Sequence, residues 1–431
     1  MADYRDRMIN HGDGVNIHED LCRIADIIGG GADWENGVFG FIEHCDTLAP
    51  GSRIEYIGAN KDFTPIAIDK STGAYSLNSW ESYPWLLENK PFMVKKDGTA
   101  DYRLKEDDYT KKLDGTSSDV ANTSYTGAGA FSWARKIYKH EHMIGNDRYV
   151  YFCLKPRAGY TANGFIVGNS ERDGAWIPMF YPVDYSGEYK SLATGYPDGN
   201  RTTDQQWSRI SAIGTNARFL GGPIVETLVD LMIMFAKTTD LQGAYGNGNM
   251  SGYVNDSGQH YGMKENAVVN GGQFYGTSTG TALNKVFHSI VLITQNLYCR
   301  DPYELVVNGR IKVSKYFNYD LTGATYFDTG IDFPNDGSTP TSGWKYPSVY
   351  KSVPEWGGVP ILPGSGSTSL GGCDGVYMSA SQATLTAVSL RFATCDSGAV
   401  GGPRARSWGY GAGTSGWPLG AAPVLFPPAE A

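Results

Sequence analysis

The chain has 431 residues and a formal net charge of −9, with 36 Lys and Arg against 45 Asp and Glu. That balance argues against nucleic acid as a partner, because binding it needs clustered cations that displace phosphate counterions. No apolar run reaches the roughly 20 residues of a membrane helix: the longest candidate, Ile224 to Ala236, is interrupted by Glu226 and Asp230. With 55 glycines, 28 tyrosines and 19% charged residues, the composition predicts an α+β, strand- and loop-rich chain of two or three domains. Its surface should be rich in aromatics, since Tyr offers large contact area at low entropic cost.

The start, MADYRDRMINHGDG, lacks an apolar h-region, so no secretory signal is expected. A short amphipathic helix comes first. Asn16 can cap it with Glu19 as the reciprocal partner, Ile17, Leu21, Ile24 and Ile28 form one stripe, and Gly29-Gly30-Gly31 ends it. Such a stripe needs a partner, whether copies of itself, another protein or its own domain. Residues 34–120 then read as a small β-rich module. Its strand-like runs VFGFIEH, RIEYIGA and FTPIAID lead into a charged connector, Lys95 to Asp119, with D-G-T turns at Asp97 and Asp114.

A larger unit, 121–431, follows. Phe131 to Met143 and Tyr149 to Leu154 form a predicted hairpin about Gly145-Asn146-Asp147. Pro223 opens the clearest helix, running to about Thr238 and apolar on most faces, so it belongs in a core. Val306 to Val313 is a second hairpin, with the type I′ signal Asn308-Gly309. Asp332 to Gly372, rich in Pro, Gly, Ser and Trp, is expected to form long ordered loops.

Motifs with chemical meaning are sparse. The six cysteines, Cys22, Cys45, Cys153, Cys299, Cys373 and Cys395, show neither a CxxC pair nor zinc spacing, which favours free, mostly buried thiols. A Cys373–Cys395 disulfide is the alternative. His140-Glu141-His142 has the spacing of two ligands on one strand face, but neighbouring lysines favour a solvated surface. Asn255, Asp256 and His260 suit either Ca²⁺ or loop-tying hydrogen bonds. Gly411-Ala412-Gly413-Thr414-Ser415-Gly416 matches G-x-G-x-x-G without the strand-turn-helix context that a dinucleotide needs. We therefore expect no catalytic residues, no cofactor and no metal.

The most informative stretch is the last, Arg391 to Pro428. Val388, Leu390 and Phe392 alternate as in a half-buried strand, and Trp417, Leu419 and Ala421 to Phe426 read as a closing core strand. Between these anchors nothing has a regular period, and Thr394 to Pro418 contains no Lys, Glu, Gln or Met. A long irregular segment held by a rigid scaffold is usually functional, because its surface can change without disturbing the core.

Leu390, Arg391, Cys395, Gly398, Gly402 and Pro403, followed by Trp417, Leu419, Gly420, Ala421, Ala422, Pro427 and Pro428, resemble the variable region of diversity-generating retroelement target proteins. Upstream segments are similar to gut-phage members of that family: Lys90 to Lys139, Ala244 to Gly262 and Asn270 to Phe287. The resemblance implies that 121–431 is a C-type-lectin-like domain, in the branch shared with formylglycine-generating enzymes, with its variable region at about 391–428. Such retroelements mutate template adenines, mainly in Asn codons, and the products exclude Lys, Glu, Gln, Met and Trp. Trp408 and Trp417 would then be fixed by the template, while Asp396, Ser397, Val400, Ser407, Gly409, Tyr410, Thr414 and Gly416 belong to the permitted set. An ordinary Gly/Ser/Ala-rich loop is the simpler alternative.

The resemblance further implies a non-catalytic receptor-binding protein of a phage tail, assembled in the host cytoplasm and carried on the virion as a homotrimer. Residues 1–33 would attach to other tail proteins or oligomerise, and a bacterial surface protein or glycan would be the ligand. Its expected contacts are Thr394, Asp396, Ser397, Val400, Arg404, Arg406, Ser407, Trp408, Tyr410 and Thr414. Trp408 and Tyr410 would be the aromatic anchors, with Asp396, Arg404 and Arg406 selecting by charge. Two alternatives are a glycan-cleaving tailspike, which needs a pair of carboxylates flanking a sugar, and a fixed structural tail or baseplate protein.

Overall fold

A computed structural model describes residues 34–255, 260–269, 271–333, 342–362 and 364–429. The expected N-terminal helix, Cys22 and Asp256 lie outside the described residues. The fold is α+β and dominated by strands, with short helices between them. None of the described helices is long and apolar enough to cross a membrane.

One sheet is antiparallel, in the order Ile54–Gly58, Phe39–His44, Asp147–Cys153, Tyr138–Ile144. The hairpin expected about Gly145-Asn146 forms its far edge, with Gly145 at φ 60° in the left-handed region that tight turns require. Gly40 is fixed by close approach, because a Cβ there would lie 2.4 Å from the Val150 carbonyl oxygen. The Asn60 side chain accepts from Gly40 N at 2.7 Å and donates to Gly40 O at 3.0 Å, replacing ladder bonds the neighbouring strand leaves open. Phe39–His44 pairs directly with Asp147–Cys153, so hydrogen-bonded pairing crosses the boundary near residue 120 expected from the sequence.

A second sheet runs Ala217–Phe219, Pro423–Leu425, Gly174–Pro178, Gly129–Arg135, Pro91–Val94, Ala100–Lys105, Asp108–Lys112. The apolar run near the C-terminus is thus a core strand, as expected, with Val424, Leu425 and Phe426 fully buried. The third sheet contains Phe327–Asp332, Arg310–Val313, Tyr298–Val307, Thr386–Arg391, Arg406–Trp408, Val376–Met378 and Gly343–Lys345. Its Asn308-Gly309 turn has both residues at positive φ, 49° and 76°, as the type I′ signal demands.

The helix Pro223–Ala236 is the keel of the molecule. Every residue from Pro223 to Phe235 is buried, the outcome its all-round apolar pattern predicts. Its two charges sit one turn apart and point to different sheets. Glu226 pairs with Arg391 and Arg406 of the third sheet, and Asp230 pairs with Arg148 and Lys139 of the first. The charges that interrupt the apolar run are therefore its tethers.

Two expectations are corrected. Asp332 to Gly372 is more than loops: it contains the strand Gly343–Lys345 and the hairpin Val349–Val353 with Gly357–Ile361. Strand Thr386–Arg391 is not half-buried, because Ala387 to Arg391 are buried on both faces. All five described cysteines are free and buried, so Cys373 and Cys395 form no disulfide.

Candidate functional site

The stretch after Arg391 is organised by the two faces of the third sheet. Side chains alternate across a strand, and the register places Arg391 opposite Arg406 and Leu390 opposite Ser407. Arg391 and Arg406 therefore face inward, toward the helix. Arg391 donates to Asp301 at 2.9 Å, Glu226 at 2.7 Å and Glu304 at 2.6 Å. Arg406 donates to Glu304 at 3.1 Å, Glu226 at 2.6 Å and the Gly358 carbonyl at 2.9 Å. Arg404, on the loop between the strands, makes a two-pronged pair with Glu43 at 2.9 and 3.1 Å, and its guanidinium lies 3.5 Å from the centre of the Tyr350 ring. The planar fork of Arg suits such shared pairing.

These interactions shift the carboxylates in opposite directions. Burial alone would raise Glu43, but Arg404 and Arg53 outweigh it and bring its pKa down to about 2. Asp301 goes the other way. Burial dominates, Arg391 only partly offsets it, and neighbouring Glu304 adds repulsion, so its pKa rises to about 6. Besides Arg391, Asp301 accepts from Gly222 N, which lies 2.9 Å from each of its carboxylate oxygens at the start of the core helix, where a carboxylate is favoured.

Five expected ligand contacts are thereby corrected. Arg404 and Arg406 are buried among carboxylates and cannot select a partner by charge. Trp408, expected as an anchor, is fully buried in strand Arg406–Trp408, edge-on to Phe333 at 5.4 Å. Thr394 and Ser407 are buried as well. Thr394 is part of a tight turn, its N–H donating to Ser397 Oγ at 3.1 Å and its hydroxyl to Asp396.

The outward face remains. Asp396 and Thr414 are exposed, and Ser397, Val400 and Tyr410 are partly exposed. Tyr410 packs over Tyr298, Leu390, Ala393, Ala405 and Leu419, and Trp344 leans on the same cluster. Trp344 and Tyr377, paired across strands, meet edge-to-face at 5.5 Å. Gly409 lies against the Tyr377 ring, where a Cβ would come to 3.1 Å. Ser397 reaches the Tyr298 hydroxyl at 3.4 Å. The result is a surface of three half-exposed aromatics, Trp344, Tyr377 and Tyr410, bordered by the Asp396 turn.

Sequence reasoning missed Trp344 and Tyr377. Trp344 stood in a region read as loop. Tyr377 sits between buried Val376 and Met378, an alternation that marks it as outward-facing.

The loop beyond Tyr410 is held by its main chain. Tyr410 O accepts from Val388 N at 3.0 Å, Ala412 O from Thr203 N at 3.0 Å, and Gly416 O from Asn200 N at 2.9 Å, while Thr414 O accepts from Arg300. Such bonds do not depend on which side chain the loop carries. At the other end, Phe392 and Ala393 turn the chain off the sheet at φ 70° and 69°, a left-handed pair that non-glycine residues rarely adopt. Trp417 is corrected too: it is partly exposed, against Tyr261 and Tyr253, rather than a core anchor.

The alternative motifs gain little chemistry. The G-x-G-x-x-G stretch is followed by turn and strand, without a helix. His140 Nδ1 donates to the Gly159 carbonyl, 2.8 Å away, and its ring lies tilted among those of Tyr151, Tyr160 and His142. Among the described residues no group of three or more His, Cys, Asp or Glu is placed to hold a metal ion. No known family model matches the chain, and no curated protein is significantly similar to it.

Proposed function

We propose that the chain is a phage tail receptor-binding protein, and that it grips a bacterial surface ligand through the outward face built by Asp396, Ser397, Val400, Tyr410 and Thr414. One observation carries this reading. Within a single stretch, the buried positions are hooked into the core by Arg391, Arg404, Arg406 and Trp408, while the accessible loop is held by main-chain hydrogen bonds. That division lets surface side chains change without cost to the fold, as a diversified recognition surface requires. It fits the diversified surface that the resemblance to retroelement target proteins implies.

Trp344 and Tyr377 would supply invariant aromatic area beside the changeable positions, in the manner of antibody surfaces. Each site need bind only weakly, because trimers on several fibres gain avidity through effective concentration. A glycan-cleaving enzyme is disfavoured at this face, where Asp396 is the exposed carboxylate of the stretch and buried Glu43 and Glu226 are committed to arginines.

The test is adhesion of the purified full-length protein to a panel of bacterial strains. Tyr410→Ala should lower binding to the recognised strain by about tenfold or more, as an interface anchor does, with at most a small fall in melting temperature. Unchanged adhesion in a normally folded Tyr410→Ala protein would refute the assignment of this face.

A further inference from the structure

We propose that the cleft beside Trp417 is a carbohydrate-binding site, separate from the Asp396–Tyr410 face. The cleft has a volume of about 500 Å³ and is lined by Asp184, Tyr196, Asp198, Arg201, Tyr261 and Trp417, among others. Its size falls within the range of small-ligand sites.

Aromatic rings gather at one side. Tyr261 and Trp417 have ring centres 5.3 Å apart, and Tyr253 lies 5.8 Å from Tyr261 and 5.5 Å from Trp417. None is buried, and Tyr253 is 51% exposed. Three clustered rings, one exposed and two partly so, form an apolar patch of the kind that marks ligand-binding grooves. Tyr261 is held at φ 56°, a conformation bulky residues avoid and which persists only where surrounding structure enforces it. Part of that enforcement is visible: the Tyr261 carbonyl accepts from the Cys395 thiol at 3.5 Å, and Gly252 N donates to Cys395 O at 2.9 Å.

The polar lining is rigid and close to neutral. Arg201 donates to Asp198 at 2.6 Å and to Asp184 at 2.7 Å, and Arg209 donates to Asp184 at 2.6 Å. The Tyr189 hydroxyl fixes Asp198 from behind at 2.8 Å. Asp184 and Asp198 thus face Arg201 and Arg209, and no charge among these four is left over to attract a phosphate or a nucleotide. An apolar peptide would bury this lining without pairing it, which is costly.

A pyranose satisfies both halves. Its C–H face packs on aromatic rings by dispersion, and its hydroxyls, each donor and acceptor, can bond the remaining lone pairs and N–H groups of a fixed Asp–Arg array. This assignment stands whether or not the Asp396–Tyr410 face binds a receptor.

The experiment is isothermal titration of the full-length protein with maltotriose, chitotriose and mannotriose in turn. At least one should give saturable heat. Tyr253→Ala, whose ring is half exposed, should weaken that binding by about tenfold without changing the melting curve, and Trp417→Ala should abolish it. Tyr410→Ala should leave it unchanged, which separates this site from the attachment face. Absence of saturable heat with all three sugars at millimolar concentration would overturn the proposal. So would binding that survives Tyr253→Ala, or binding that Tyr410→Ala removes.

Discussion

At the scale of single residues, position in the sheet decides whether a side chain in the C-terminal stretch is buried in the core or faces outward. Trp408 and Tyr410 are two residues apart and both aromatic, yet Trp408 is fully buried and Tyr410 only partly. Trp408→Ala should therefore cost about 3–5 kcal/mol, the usual penalty for truncating a buried large aromatic. Tyr410→Ala should cost about 1 kcal/mol or less. Paired denaturant titrations of the two variants check this, and equal losses would contradict the burial difference. The sequence could not separate these two residues, because the stretch has no period from which inward and outward positions follow. The arginines misled for a related reason. Charge usually marks surface, and nothing local announces that Glu43, hundreds of residues away, waits for Arg404. Trp417 was read as core from its apolar flanks, but its ring belongs to the wall of a cleft.

At the scale of elements, the helix Pro223–Ala236 couples two sheets through Glu226 and Asp230, and Asp301 sits at its start. This arrangement makes a pH prediction with a definite sign. Asp301 has a folded pKa of about 6 against an ordinary 3.8. The folded state therefore holds a proton that the unfolded state has released between these values, and stability from this group falls as pH rises from about 4 to about 6. Asp301→Asn keeps an oxygen acceptor for Gly222 and Arg391 but cannot titrate. The difference in unfolding free energy between wild type and Asp301→Asn should change across that window and be flat above it. A difference independent of pH would show that Asp301 is ionised in the folded protein throughout. The helix itself was legible, since Pro at its first turn and an apolar run of that length are local signals. The partners of its charges were not.

At the scale of the whole molecule, local chemistry was readable and long-range pairing was not. Both hairpins with positive-φ turns, at Gly145-Asn146 and Asn308-Gly309, follow from turn residues alone. The insertion of Pro423–Leu425 between Ala217–Phe219 and Gly174–Pro178, and the pairing of Phe39–His44 with Asp147–Cys153, involve contacts across long stretches of chain that no local pattern encodes. The hairpin Val349–Val353 with Gly357–Ile361 was hidden by Pro, Gly and Trp, residues that usually mark turns. For the candidate site, the stretch was legible from its composition and its flanking motif, but its division into a buried half and a displayed half required the fold.

That division is the central claim, and sequencing the gene and its flanks across a population of its source tests it most directly. The account predicts substitutions concentrated at the accessible codons, those of Asp396, Ser397, Val400, Tyr410 and Thr414. It also predicts constancy at Arg391, Arg404, Arg406 and Trp408, with a template repeat and a reverse transcriptase nearby. Variation spread evenly over buried and exposed positions, or an invariant stretch with no template, would contradict it.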